Sequence, residues 1–328
     1  MAMHLPDAMK PAESAGHVPI RDYQDSSRRL PRDLARLRVC ATVVLAVLVA
    51  LCPASLSASS QDAPSPSSRA DSPRQWAVDC ANNEVLVIQH PESYLRYRFH
   101  EVDEKGDRVR DQIETPEGSV ARLLLRDGRP LTPEEDSAER ERLNVLIASP
   151  RTFARHIRRE QDSKKMGVQL LKLMPDAMLW SYAPGQPQFP GQHGDEQSLV
   201  VLDFKPNPKW SPPNIESEPL TGLKGRIWID AHSRRMVHLE GNLFHAVNIG
   251  WGMVAHIYPG GTISLQQTNA GGQRWIVEHI VEQLTLRALM VKNVKQRLIF
   301  DTADFQPIPA MSYQQAIKTL LDTPLPAH

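Results

Sequence analysis

Tyr94-Leu-Arg-Tyr-Arg-Phe99 sets Tyr94, Arg96 and Arg98 against Leu95, Tyr97 and Phe99, a period of two that a β-strand turns into two unlike faces. Glu104-Lys-Gly-Asp107 follows as a Gly-containing turn, and Arg108 to Thr115 returns as the partner strand, so the segment reads as a β-hairpin. A third strand, Ser119 to Arg126, stops at Asp127-Gly128, a strong turn dipeptide. An antiparallel sheet begins here.

Upstream, Trp76, Cys80, Val85 and Ile88 space apolar residues for an amphipathic helix from Trp76 through Ile88. Downstream, Thr132 is a helix cap with Pro133 at the first helical position and Glu134, Glu135 and Asp136 in the first turn, where the helix dipole favours acids. That helix runs to about Leu146. A second, Arg151 to Leu173, is dense in charge and reads as a solvated face, with Pro175 predicted to stop it. Beyond residue 176 the chain reads as strand and turn: Met178 to Tyr182, Ser198 to Phe204, Gly225 to Asp230, Arg235 to Leu243, Gly261 to Thr268, Gln273 to Leu284 and Leu286 to Phe300. Short turns between several of these force antiparallel neighbours, and glycines inside the sheet region mark bends. Ser312 to Leu321 closes the chain as a short helix. The fold class predicted is α+β, a long antiparallel sheet curled into an incomplete β-barrel with helices covering one face.

The amino terminus reads as an address. Val39 to Leu51 is uncharged and largely apolar, preceded by Arg28, Arg29, Arg32, Arg36 and Arg38. As a helix it would rise about 20 Å, short of the roughly 30 Å hydrocarbon core, and it leads into Pro53 and small residues. A signal peptide over 1–58 fits, with cleavage after Leu56-Ser57-Ala58 and a periplasmic destination. Two alternatives stay open, an uncleaved membrane anchor and acylation at Cys52. Residues 59–74 are a Pro/Ser-rich tether, 75–322 one half-barrel domain and 323–328 a tail.

Lys+Arg and Asp+Glu tie at 38 each in 328 residues, so the basic footprint of a nucleic-acid binder is missing and nucleic acid is not an expected partner. Three cysteines, Cys40, Cys52 and Cys80, build no disulfide framework, and no Cys/His spacing suits zinc. GxSxG, Walker, GxGxxG and HExxH patterns are all missing, so no catalytic residue, metal or cofactor is expected and the reading is not an enzyme. His232, His238, His245, His256 and His279 fall singly along strands and turns. Asp230 with His232 is a candidate acid/base pair, although an Asp opening such a turn more often caps its own backbone.

Met174-Pro-Asp-Ala-Met-Leu179, Phe204-Lys-Pro-Asn-Pro208, Gly225-Arg-Ile-Trp-Ile-Asp230, Gly250-Trp-Gly252 and Pro259-Gly-Gly261 resemble exported bacterial proteins related to the outer-membrane lipoprotein-sorting (Lol-type) carriers. The resemblance covers roughly Trp76 to Leu321. It implies a half-barrel lidded by helices whose concave side holds lipid or lipoprotein acyl chains, with envelope membrane proteins as further partners and no bond made or broken. It also implies an arginine that holds the lid, for which Arg96 and Arg98 are candidates. By strand alternation the lining residues are Tyr97, Phe99, Leu202, Phe204, Ile227, Ile229, Ile263 and Leu265, each equally an ordinary core position. The alternatives are an envelope sensor or scaffold binding a protein partner on the same sheet, and an Asp/His hydrolase.

Overall fold

A computed structural model of the chain describes residues 71–89, 93–186, 199–271 and 274–326. The predicted signal segment with Cys40 and Cys52, and the tether up to residue 70, lie outside the described residues. Helix α1 spans Pro73–Gln89, and its first turn takes up the end of the predicted tether. It is followed by β1 (Tyr94–Asp103), β2 (Gly106–Ile113), β3 (Val120–Arg126) and β4 (Arg129–Pro130). Then come α2 (Pro133–Ala148) and α3 (Pro150–Ala177). The rest of the sheet comprises β5 (Met178–Tyr182), β6 (Leu199–Pro206), β7 (Leu223–Asp230), β8 (Met236–Leu243), β9 (Val247–Ile249), β10 (Ala255–Ile257), β11 (Thr262–Asn269), β12 (Trp275–Ala288) and β13 (Lys292–Ile308). A 3₁₀ helix covers Ile215–Thr221, and α4 spans Tyr313–Asp322.

The strands form one antiparallel sheet in the order β4-β3-β2-β1-β13-β12-β11-β8-β7-β6-β5, with β9 and β10 branching from β12. The sheet is open, because β4 and β5 are its two edges. Cross-strand partners share a face, so the row Leu202, Ile227, Leu239, Leu265, Ile280, Phe300, Glu101, Arg108 traces one face from β6 to β2. It changes from apolar to charged at the step from β13 to β1. The apolar part is covered by α1 through Cys80 and by α3 through Leu170, Met174 and Ala177.

Helix α4 lies on the other face. Ile113 and Val120, which alternate away from Gln112 and Ala121, pack with Ile317 and Leu320. Buried Arg122 fixes that helix by donating to the Leu320 carbonyl at 2.7 Å and the Thr323 carbonyl at 2.5 Å while pairing with Asp136 at 2.7 Å. Helices therefore occupy both faces, where the sequence had predicted one.

Three further departures have local causes. Pro175 does not stop α3, because in the last turn it removes only its own N–H and Met178 N still donates to the Met174 carbonyl, while Met174, Ala177 and Met178 bury against Phe204 and Leu220. The last hairpin turns at Leu289-Met290-Val291 rather than near Leu284, with Leu289 and Met290 both at positive φ (47° and 62°). Strands β9 and β10 fall where the sequence reading assigned no element; each is only three residues long.

Glu84 pins α1 to the sheet. Its Oε1 accepts from Arg235 Nε (2.8 Å) and Met236 N (2.9 Å), and its Oε2 from Arg235 Nη2 (2.9 Å) and Gln267 Nε2 (3.1 Å). Both ionic partners are buried. Breaking such a pair from one side strands a charge, so Arg235→Met should lower the unfolding free energy by about 3–5 kcal/mol in urea titration. Glu84→Leu/Arg235→Met, which removes both charges, should recover most of that loss; a double variant as unstable as the single one would contradict the ion-pair assignment.

Candidate functional site

Between α1, α3, the 3₁₀ helix and the inner face of β7, β8, β11 and β12 lies a cavity of about 80 Å³. Leu170, Leu171 and Met174 come from α3, Ala77, Cys80 and Ala81 from α1, and Ile227, Leu239, Leu243, Ile263, Leu265 and Leu284 from the strands. Its free surface is wholly apolar. Glu84 is the one charged residue around it, and its two oxygens are already taken by four donors. Burial, with Glu84 adding to it, pushes the Cys80 thiol well above its ordinary range, so it is an inert wall rather than a nucleophile.

Beside the lining residues Leu223 and Ile263, strands β7 and β8 pair through two glycines, Gly225 and Gly241. A methyl group on Gly225 would lie 1.9 Å from the Glu240 carbonyl oxygen and 2.8 Å from the Phe204 ring, so only glycine lets ring and strand approach this closely.

Of the eight predicted lining residues, Ile227, Ile263 and Leu265 border the cavity. Leu202 and Ile229 are fully buried in the cluster around Cys80, and Phe204 packs with Met174 and with Trp180, their ring centroids 5.5 Å apart. Tyr97 and Phe99 sit elsewhere on the inner face. Tyr97 packs with Leu95 and Ile276 and accepts from Gln112 Nε2 at 2.5 Å, and Phe99 lies 5.4 Å from Phe300 with the Arg110 guanidinium 5.7 Å over its ring. The α3 residues were missed because the helix was read for its charges, although Leu170, Leu171 and Met174 have the i, i+1, i+4 spacing of a buried stripe.

Neither predicted latch arginine reaches α1. Arg96 pairs with Asp111 at 2.5 Å and donates to Thr323 Oγ1 at 2.8 Å, and exposed Arg98 pairs with Asp304 at 3.4 Å. The arginines that join α1 to the sheet are Arg235, through Glu84, and Arg234, through Asp79. Asp230 caps its own turn, accepting from Ser233 N (2.8 Å) and Ser233 Oγ (2.5 Å), and His232 is exposed beside it. Among the described residues no three His, Cys, Asp or Glu side chains converge as a metal-holding group.

Past the apolar rows the same face opens into a charged groove of about 730 Å³, where Arg108, Arg110, Arg142 and Arg159 meet Glu139 and Glu160. Arg110 pairs with Glu101 at 2.9 Å, Glu101 lies 3.2 Å from Arg108, and Glu139 accepts from Arg142 at 2.7 Å. Between cavity and groove stands Glu282, opposite Ile263 on one side and Leu298 on the other. Its Oε1 accepts from Gln296 Nε2 at 3.2 Å, and its Oε2 has no hydrogen-bond partner. Burial, and after it the charge of Glu104, pushes its pKa up to about 8. Near neutral pH it is therefore predominantly protonated, and the rows nearest the cavity carry little net charge.

The chain matches no known family model, no curated protein and no solved structure.

Glu282 makes stability pH-dependent with a defined sign. A folded pKa above the unfolded value near 4.5 means that folding takes up a proton. The stability this gives is full below pH 4.5, erodes as pH rises, and is lost through pH 8. Glu282→Gln should match the wild type at pH 4.5 and exceed it at pH 8 by up to about 4 kcal/mol, measured by denaturant titration at both pH values. Equal stability of variant and wild type at pH 8 would contradict the buried, protonated carboxyl.

Proposed function

We propose that the protein is an exported carrier that shelters the acyl chains of a lipid or lipoprotein beneath α1 and α3 and catalyses no reaction. The observation that carries this reading is the wholly apolar cavity between a sheet face and two helices, where the nearest carboxylate is fully satisfied and the nearest unsatisfied one is held neutral. Chain burial in such a site is worth about 0.8 kcal/mol per CH₂ and needs no directional contact.

The length of α3 supports a sheet curled around the helix, as the lipoprotein-sorting resemblance implies. Glu160 accepts from Ser119 N beside β3, and α3 runs from there straight into β5. The helix covers that distance in about 26 Å at 1.5 Å per residue. Laid flat, the nine strand spacings from β3 to β5 would need about 43 Å at roughly 4.8 Å each.

At rest the space is small. A dry cavity of about 150 Å³ admits benzene, and ligand pockets run from about 300 Å³. At about 80 Å³ the cavity is too small for an acyl chain, and admitting one requires α1 or α3 to move off the sheet. Their apolar contact surface then becomes the wall of the occupied site.

The test is native mass spectrometry of the purified chain after delipidation and incubation with palmitate or a lysophospholipid. A stoichiometric complex is expected, and Leu239→Trp, which fills the cavity from a partly buried wall position, should weaken uptake at least tenfold. No uptake by the wild type, or uptake unaffected by Leu239→Trp, would contradict the carrier reading.

A further inference from the structure

Four of the most exposed large apolar side chains stand on two adjacent turns: Trp251 (93%), Val291 (85%), Met253 (64%) and Met290 (63%). The first turn joins β9 to β10 and the second joins β12 to β13. They are tied together, since Ala255 pairs with Ala288 and Leu289 N donates to the Val254 carbonyl at 3.0 Å. Beneath them Val247, Ile249, Ile257 and Leu286 form a buried cluster, so the tips are mounted on packed structure.

Both turns break the usual turn chemistry. Gly250, Trp251 and Gly252 run consecutively at positive φ (57°, 61° and 79°), and Leu289-Met290 occupies a pair of positive-φ positions where Asn-Gly is the ordinary choice. The Trp251 turn is held by Met253 N donating to the Gly250 carbonyl (3.1 Å) and Gly250 N donating to Glu218 Oε2 (2.8 Å). Bulky apolar residues thus sit where backbone strain and water both disfavour them, the pattern expected where function overrides local preference.

The charge around the tips selects a partner. Residues 244–258 and 283–300 contain no Asp or Glu, while Arg287, Lys292, Lys295 and Arg297 all fall within the second stretch; from outside these stretches Glu218 reaches the Gly250 N–H and Glu104 the Arg297 N–H. Lys292 follows Val291 directly, and Lys295 lies about 10 Å further down β13 at 3.3 Å per residue. An apolar wedge led by tryptophan and backed by lysines at headgroup depth is the arrangement that suits a membrane interface bearing anionic lipid. Two protruding turns also make a poor match to the flat, well-packed core of a protein interface.

We propose that the paired β9–β10 and β12–β13 turns insert Trp251, Met253, Met290 and Val291 into the surface of an anionic lipid bilayer. This stands on the tips alone, independently of what the cavity holds. The N-terminal apolar run can also bind lipid, so the test reads Trp251 itself: the fluorescence of the full chain minus that of Trp251→Phe, with vesicles of brominated phosphatidylcholine and phosphatidylglycerol at 7:3. The Trp251 contribution should shift to the blue and lose at least half its intensity to the brominated chains, with about tenfold more lipid needed when phosphatidylglycerol is left out. In a Met290→Asp/Val291→Asp background, with the thermal midpoint unchanged, that quenching should fall at least fivefold. A Trp251 signal that stays unquenched at saturating lipid overturns the proposal. A blue shift that follows protein concentration without lipid overturns it in favour of a second copy of the chain.

Discussion

The rest of the structure depends on keeping the apolar rows of one large sheet dry. Leu202, Ile227, Leu265 and Ile280 face the same way across β6, β7, β11 and β12, and burying each such side chain is worth about 1.5–3 kcal/mol. Among the described residues no second sheet covers them. The work falls to α1 and the C-terminal half of α3, and α1 is held there by Glu84, whose carboxylate receives four hydrogen bonds, and by Asp79 paired with Arg234. Glu84 thus does by directed polar contact what a better-filled apolar interface would do by packing, and a small apolar cavity lies beside it.

The polarity of the inner face is graded. Aliphatic rows give way at Glu282 to a carboxyl kept neutral by burial, and then to the arginine and glutamate side chains of β1 to β3. Helix α3 follows the same gradient, with Leu170 and Met174 over the cavity and His156, Arg159 and Glu160 over the groove. The matching of helix and sheet explains why one long helix could be read from its charges as solvated and yet bury its far end. The face is thus greasy at one end and ionic at the other.

The strongly periodic or chemically marked elements were legible in the sequence. Tyr94 to Phe99 alternates cleanly, Asp127-Gly128 makes the turn into β4 with both residues at positive φ, and Thr132 forms the capping box its neighbours announce, accepting from Glu135 N at 3.3 Å. The hairpin at Leu289-Met290 was not legible, since it adopts that same turn geometry with none of the residues that signal it. The site was half legible for a related reason. Alternation gives the face of a strand but not which strands a helix will cover, so Tyr97 and Phe99 were grouped with Ile263 and Leu265 although the sheet places Phe99 in the groove and Tyr97 against Leu95 and Ile276. The pin between Glu84 and Arg235 joins residues far apart in the chain with no periodic signal linking them.

Photo-crosslinking with a fatty acid that carries a diazirine at its methyl end tests the central claim most directly. The account predicts adducts concentrated at Leu170 to Met174 of α3 and Ile263 to Leu265 of β11, suppressed by Leu239→Trp. Adducts confined to exposed residues, or none above the level of a non-binding protein, would contradict it.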